Sequence, residues 1–267
     1  MDEKRYKADQ LYLESLVAKL TGWNDSEARL VRAFEEDEFV LYGQAIVPLD
    51  PRAELPPYIE VLIRLQEEER NLTPPGAFIP FLEYFDMMPL LDRWVIGHAL
   101  DWWCANDSAW KTVLSINLSA DTLGEPGFPE YVAQLLRDRK VPARVLCFEL
   151  GRGDVMSDPA LYSKAAGQLK SLGCSFCVTG LGRDTVSFQA LRTIPAGMIK
   201  IDGAIVGEIH RDRLALAKAQ SLQQVCRKLG IYSVAEFVEL PETRRLLQEI
   251  GVDYAQGYGM AQPVPLK

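Results

Sequence analysis

Polar and charged residues close the apolar runs of this 267-residue chain. Asn117 ends TVLSIN, Glu149 nearly ends RVLCFEL, Thr179 ends CSFCVT, Lys200 and Asp202 end MIKID, Glu236 ends IYSVAE and Gln256 ends VDYAQ. Carboxylates beside an amide and a lysine are the groups that hold divalent cations or meet phosphate esters. The loop Thr179-Gly180-Leu181-Gly182-Arg183-Asp184 carries two glycines and opens a helix-like run. That suits an anion, but the strand end lacks the carboxylates a metal would need there. One polar residue at a strand end reads as a cap or loop residue. One at nearly every strand end reads as a site, because burying such a ring is costly unless it binds something.

The elements that must position these residues follow from periodicity. From Cys174 to Asp202 the chain reads strand, loop, helix (VSFQALRTI), loop, strand, a βαβ crossover that implies parallel strands. Before it come strand FVLYGQAIV, the proline-rich PLDPRAELPP and strand YIEVLIRL, with no helix between the two, so they should pair antiparallel. A long helical region, AFIPFLEYFDMMPLLDRWVIGHALDWW, breaks near Pro89, and strands then alternate with helices to VDYAQG. Eight strands in about 230 residues is the rhythm of a TIM-type (β/α)8 barrel, here with a modified, antiparallel first strand. In such a barrel the strand ends converge at one mouth. Leu13, Leu16, Val17 and Leu20 repeat at helical spacing, so residues 1–25 are expected to form an N-terminal lead-in helix ahead of a barrel over 26–267, with Ser26 capping the first barrel helix.

Composition narrows the function classes. The apolar fraction of 48% marks a globular chain, and 29 Lys and Arg against 37 Asp and Glu give a net charge of −8 without a basic block. Long-range attraction to a nucleic acid polymer is disfavoured, while a small anionic ligand near local arginines is compatible. No run approaches a membrane span, and MDEKRYKADQ has no apolar segment after it, so a cytoplasmic location is expected. Five cysteines make a disulfide framework improbable. Cys174 and Cys177 have CxxC spacing, but on a strand their thiols face opposite ways. His98 and His210 have no ligand cluster beside them and read as surface or packing residues.

In order and spacing these residues resemble the EAL domain family, the cyclic di-GMP phosphodiesterases of bacterial signalling, from about residue 27 to Pro263. Glu60-Val61-Leu62 is similar to the motif that names the family, with Gln44 at the first-strand glutamine and Arg64 at the family spacing. Asn117-Leu118-Ser119 resembles the NLS element, Lys200-Ile201-Asp202 the KID element, Ala235-Glu236-Phe237-Val238-Glu239 the AEGVE element, and Gln256-Gly257 with Pro263 the closing element. The resemblance implies ligand contacts from Gln44, Glu60, Arg64, Asn117, Lys200, Glu236, Gln256 and Pro263. It also implies metal ligands at Glu60, Asn117, Glu149 and Glu236, with Glu60, Lys200 and Glu236 as remnants of the catalytic set.

Four positions depart from the family pattern. Thr179 and Gly180 stand where the paired aspartates of DDFG belong, Arg152 replaces the last glutamate of ExTE, and Phe237 replaces the glycine of AEGVE. Hydrolysis in the family uses two cations whose mutual repulsion must be neutralised by carboxylates, and a hydroxyl and a glycine cannot replace two of those. The resemblance therefore implies a degenerate, inactive member that serves as a cyclic di-GMP receptor, or else an interaction module without nucleotide. An active phosphodiesterase would need a different ligand set, such as Asp184 or Asp202 moving in. No cofactor is expected, with Mg or Mn bound only if residual metal affinity survives. The partners implied are cyclic di-GMP and a protein partner or fused signalling domain, with a homodimer admissible.

Overall fold

In a computed structural model, residues 23, 25–66, 72–106, 112–182, 191 and 194–267 are described. Residues 1–22 and 24 of the expected lead-in helix (1–25), Arg183, Asp184 and most of VSFQALRTI lie outside them. Helix α1 (Ser26–Glu35) begins the described fold. Its cap is Asp25 rather than Ser26: the Asp25 carboxylate accepts from the Ala28 amide at 3.0 Å, and Ser26 is already helical. Asp25 has the extended backbone of a cap, and its charged carboxylate also suits the positive end of the helix. Trp23 is buried, with the Arg29 guanidinium 5.5 Å from its ring.

Strands β1 (Phe39–Pro48) and β2 (Tyr58–Gln66) pair antiparallel, with Gln44 opposite Glu60. A two-residue strand β3 (Leu72–Thr73) leads to helices α2 (Pro75–Tyr84) and α3 (Met88–Ala105). The break between these helices precedes Pro89 and falls at Asp86, whose φ is +54°. The alternation then runs β4 (Val113–Asn117), α4 (Ala120–Gly124), α5 (Phe128–Arg139), β5 (Leu146–Gly151), α6 (Arg152–Ser157), α7 (Pro159–Leu172), β6 (Ser175–Leu181) and β7 (Met198–Ile201). It continues with α8 (Gly203–Val206), α9 (Arg213–Leu229), β8 (Tyr232–Ala235), α10 (Pro241–Ile250), β9 (Tyr254–Ala255) and β10 (Val264–Pro265). Strands β2 and β4 to β9 are successively parallel, and β1 pairs antiparallel with both β2 and β9, closing an eight-stranded barrel. The TIM-type barrel with an antiparallel first strand is the fold. Among the described residues no helix is long and apolar enough to cross a membrane.

The period of two along each strand builds the interior in layers. Ile46, Tyr58, Cys147, Cys177, Met198, Val234 and Tyr254 form one apolar inner cluster. Two positions along each of those strands, toward the same end, stand Gln44, Glu60, Glu149, Thr179, Lys200, Glu236 and Gln256. The intervening residues, Phe148, Phe176, Val178, Ile199, Ile201 and Ala235 among them, face the helices in the main core. Cys174 belongs to that outer core and Cys177 to the inner cluster, and both are free, buried thiols. His98 stacks on Trp94 on the surface of α3, with ring centroids 3.8 Å apart.

Candidate functional site

Lys200 on β7 lies at the centre of the mouth with none of its surface exposed. Its Nζ donates to Glu60 Oε2 at 2.8 Å, stands 2.8 Å from Glu149 Oε2 and lies 3.9 Å from Glu236 Oε1. Glu149 also accepts from Ser115 Oγ at 2.6 Å, and Glu60 from Asn117 Nδ2 at 3.0 Å. Gln256 Nε2 donates to Glu60 Oε2 at 2.5 Å and to Gln44 Oε1 at 3.0 Å, while Gln44 Nε2 donates to the carbonyl of Ala261 at 2.9 Å. Eight polar side chains from seven strands thus make one network, which pairs most of the groups that would otherwise be costly to bury and leaves Gln256 Oε1 without a hydrogen-bond partner among the described residues.

The electrostatics follow from three carboxylates around one ammonium. Burial opposes the Lys200 charge, but Glu149, Glu60 and Glu236 outweigh it and hold the ammonium well above the ordinary lysine range. Burial alone would raise Glu60, yet Lys200 and the donors Gln256 and Asn117 bring it below the usual carboxylate value. Glu149 is raised by burial and by the Glu60 charge. Glu236 is pushed up to about 7, first by burial and then by Glu149, Glu60 and Asp202 against the pull of Lys200.

Two cavities open beside this network. A cleft of about 520 Å³ is lined by Gln44, Glu60, Leu62, Arg64, Pro75, Gly76, Glu236, Phe237, Glu239, Gln256, Gly257, Tyr258 and Pro263. A second, of about 600 Å³, shares Leu62 and Pro75 and reaches Asn117, Glu149 and Thr179, with Asp92, Asp121 and Asp154 on its wall. Arg64 donates to the Ile63 carbonyl at 2.8 Å and lies 5.8 Å from the Tyr42 ring, without a salt bridge among the described residues. Phe237 has a φ of +54°, is 68% exposed, and packs so closely on Gly203 that a Cβ there has no room. Leu181 is fully buried in the main core, so it does not fill the mouth.

Of the residues singled out in the sequence, Gln44, Glu60, Asn117, Glu149, Lys200, Glu236 and Gln256 meet in the network, and Arg64 and Pro263 join them on the cleft wall. Asp202 does not. Its carboxylate caps α8 by accepting from the Ala204 amide at 2.8 Å. Thr179 lies inside β6, which runs on to Leu181, and its hydroxyl reaches the Leu150 carbonyl at 3.5 Å. Ser115 was not foreseen, although it stands two positions before Asn117 and so on the same face.

These residues do not fit a two-cation centre. Among the described residues no three carboxylate, imidazole or thiol groups stand together as a metal site. The Lys200 ammonium already sits between Glu60 and Glu149, and β6 offers a hydroxyl and a glycine where anionic ligands would be required.

A model of the EAL domain matches residues 27–263. Among curated relatives, a cyclic di-GMP phosphodiesterase PdeB of Shewanella oneidensis is 37% identical over 239 residues, covering 89% of this chain and 28% of the relative. A cyclic di-GMP phosphodiesterase PdeF of Escherichia coli is 30% identical, covering 89% of this chain and 32% of its own length. The chain thus spans less than a third of either relative. Among solved structures, the FimX EAL domain of Pseudomonas aeruginosa bound to c-di-GMP superposes with a TM-score of 0.84 at 25% identity, covering 91% of this chain and 98% of that one.

Proposed function

The chain belongs to the EAL domain family, and from that premise we propose that it is a degenerate member which binds cyclic di-GMP without hydrolysing it. The observation that carries this reading is the occupant of the carboxylate cluster. Lys200, an internal cation, is held by the carboxylates that would otherwise serve a metal, while Thr179 and Gly180 supply no anionic ligand beside them. Without a neutralised metal pair there is no activated water for attack at phosphorus. No hydrolytic step is assigned to the remaining residues.

Binding needs less. A cyclic dinucleotide has two bases and a doubly charged backbone, and the mouth has two adjoining cavities sharing a ridge at Leu62 and Pro75. Arg64, whose charge has no carboxylate partner among the described residues, supplies a fork of donors to an anionic or guanine-like ligand on the cleft wall. Gln44, Glu60, Asn117, Lys200, Glu236, Gln256 and Pro263 complete the proposed contact set. The bound state would be passed to a protein partner or a fused signalling domain in the cytoplasm, and a homodimer is compatible with that role. A second reading, an interaction module without nucleotide, draws support from Phe237 and Tyr258, which are 68% and 65% exposed at the rim.

Isothermal titration of the whole chain with cyclic di-GMP, with and without magnesium, separates these readings. Saturable heat that does not need magnesium, with no linear dinucleotide formed, is the expected result. Absence of binding would favour the interaction module. Linear product formed in proportion to protein, and lost in Glu60→Ala, would establish an active phosphodiesterase instead.

A further inference from the structure

One wall of the cleft is held in place from outside the cleft. After Gln256 the chain turns at Gly257, where φ is +151° and the backbone of Val238 leaves no space for a side chain. It supplies Tyr258 and Pro263 to the cleft and then lies antiparallel to β1, with Val264 opposite Gly43 and Pro265 opposite Tyr42. The Leu266 amide donates to the Leu41 carbonyl at 2.9 Å, and Leu266 packs against the main core.

Gly43 is the seat of that last side chain. A Cβ at position 43 would stand 2.6 Å from Leu266 Cδ2 and 2.8 Å from Ile59 Cγ2. Glycine inside a strand weakens it and marks a close approach of another group. Gly43 therefore makes room for two neighbours, Ile59 of β2 within the barrel sheet and Leu266 of the returning segment, and the Leu266 contact is the closer of the two.

Resting on the reading that the cleft takes a cyclic dinucleotide, we propose that Gly43 and Leu266 are positioning residues. Their contact latches residues 257–266 onto β1 and so sets the Tyr258 and Pro263 wall against the ligand, although neither residue lines the cleft. Binding sites work when their walls are held to within about half an ångström, so releasing the latch costs affinity before it costs stability.

The test compares full-length Leu266→Ala, Gly43→Ala and the conservative Leu266→Met by titration with cyclic di-GMP, thermal melting and limited proteolysis of residues 257–266. Leu266→Ala and Gly43→Ala are expected to bind about tenfold more weakly. Their melting should shift by less than about 3 °C, with faster cleavage in that segment, while Leu266→Met behaves as the wild type. Unchanged affinity in both disruptive variants, with the wild type binding, overturns the latch and leaves the receptor reading standing. Affinity that falls only in step with melting temperature across all three overturns it too, as a general structural effect. A wild type that binds no cyclic di-GMP defeats the receptor reading and the latch with it.

Discussion

The Lys200 ammonium stays charged although fully buried because Glu60 and Glu149 each stand 2.8 Å away. Removing one partner of a buried ion pair leaves the other uncompensated, at a cost of about 3–5 kcal/mol. Lys200→Met should therefore lower the urea midpoint markedly at pH 8 and less at pH 5, where the stranded carboxylates can take up protons. Equal stability to wild type at pH 8 would mean the cluster is not paired as described. Glu236 adds an opposite pH dependence. Its carboxyl titrates at about 7 in the folded chain against 4.5 for the ordinary group, so the native state holds a proton that the unfolded chain releases. The stabilisation is complete below about pH 4.5 and is lost as pH rises through 7, amounting to about 3 kcal/mol at most. Glu236→Gln cannot lose that proton. Relative to wild type it should gain stability between pH 5 and pH 8, measured by denaturation at several pH values, and a flat difference would refute the assignment.

At the scale of elements, β6 and the turn after β8 carry Thr179, Gly180 and Phe237, the residues on which the proposed loss of hydrolysis rests. The β6–β7 register shifts between Val178 and Leu181, and within that shift Gly180 has a φ of +73° with open space around its Cα. Thr179→Asp with Gly180→Asp adds two carboxylates at the end of β6, and a Cβ at position 180 meets nothing within 4 Å. Asp tolerates the left-handed region better than most residues, but the strain still costs about 1 kcal/mol. The double variant should melt slightly lower and acquire weak manganese binding by calorimetry. No binding at all would show that Glu60, Asn117, Glu149 and Glu236 cannot be drawn away from Lys200. Phe237 makes the converse case. Its φ of +54° costs about 1–2 kcal/mol for an L-residue, whereas glycine would cost about 0.5–1 kcal/mol in unfolded-chain entropy, and the exposed ring recovers little by burial. Phe237→Gly is thus expected to melt within a few degrees of wild type despite losing an aromatic ring. A large fall would mean that the Phe237–Gly203 contact holds the mouth together.

For the whole molecule, the barrel was legible because period-two alternation and strand-closing polar residues survive in a single sequence: Cys147 with Glu149, Met198 with Lys200 and Val234 with Glu236 share an inner face by counting alone. Partners were not legible. That Lys200 meets both Glu60 and Glu149 depends on the stagger between strands, and Ser115 gains a role only because Glu149 is in reach. The same limit applies at the N-terminal edge. The sequence pattern puts the boundary between residues 25 and 26, and since Trp23 is buried and Asp25 caps α1, we propose Trp23 as the alternative start of the barrel. A chain beginning at Trp23 is expected to melt within about 3 °C of the 267-residue chain and to bind cyclic di-GMP with the same affinity. One beginning at Ser26 loses a cap worth about 1 kcal/mol and a buried tryptophan worth about 3 kcal/mol, which at this size corresponds to roughly 8–16 °C. Melting of both truncations decides between two boundaries. A large fall already on removing residues 1–22 would make that segment part of the barrel core, and equal melting of the two would deny Trp23 and Asp25 the role their contacts give them.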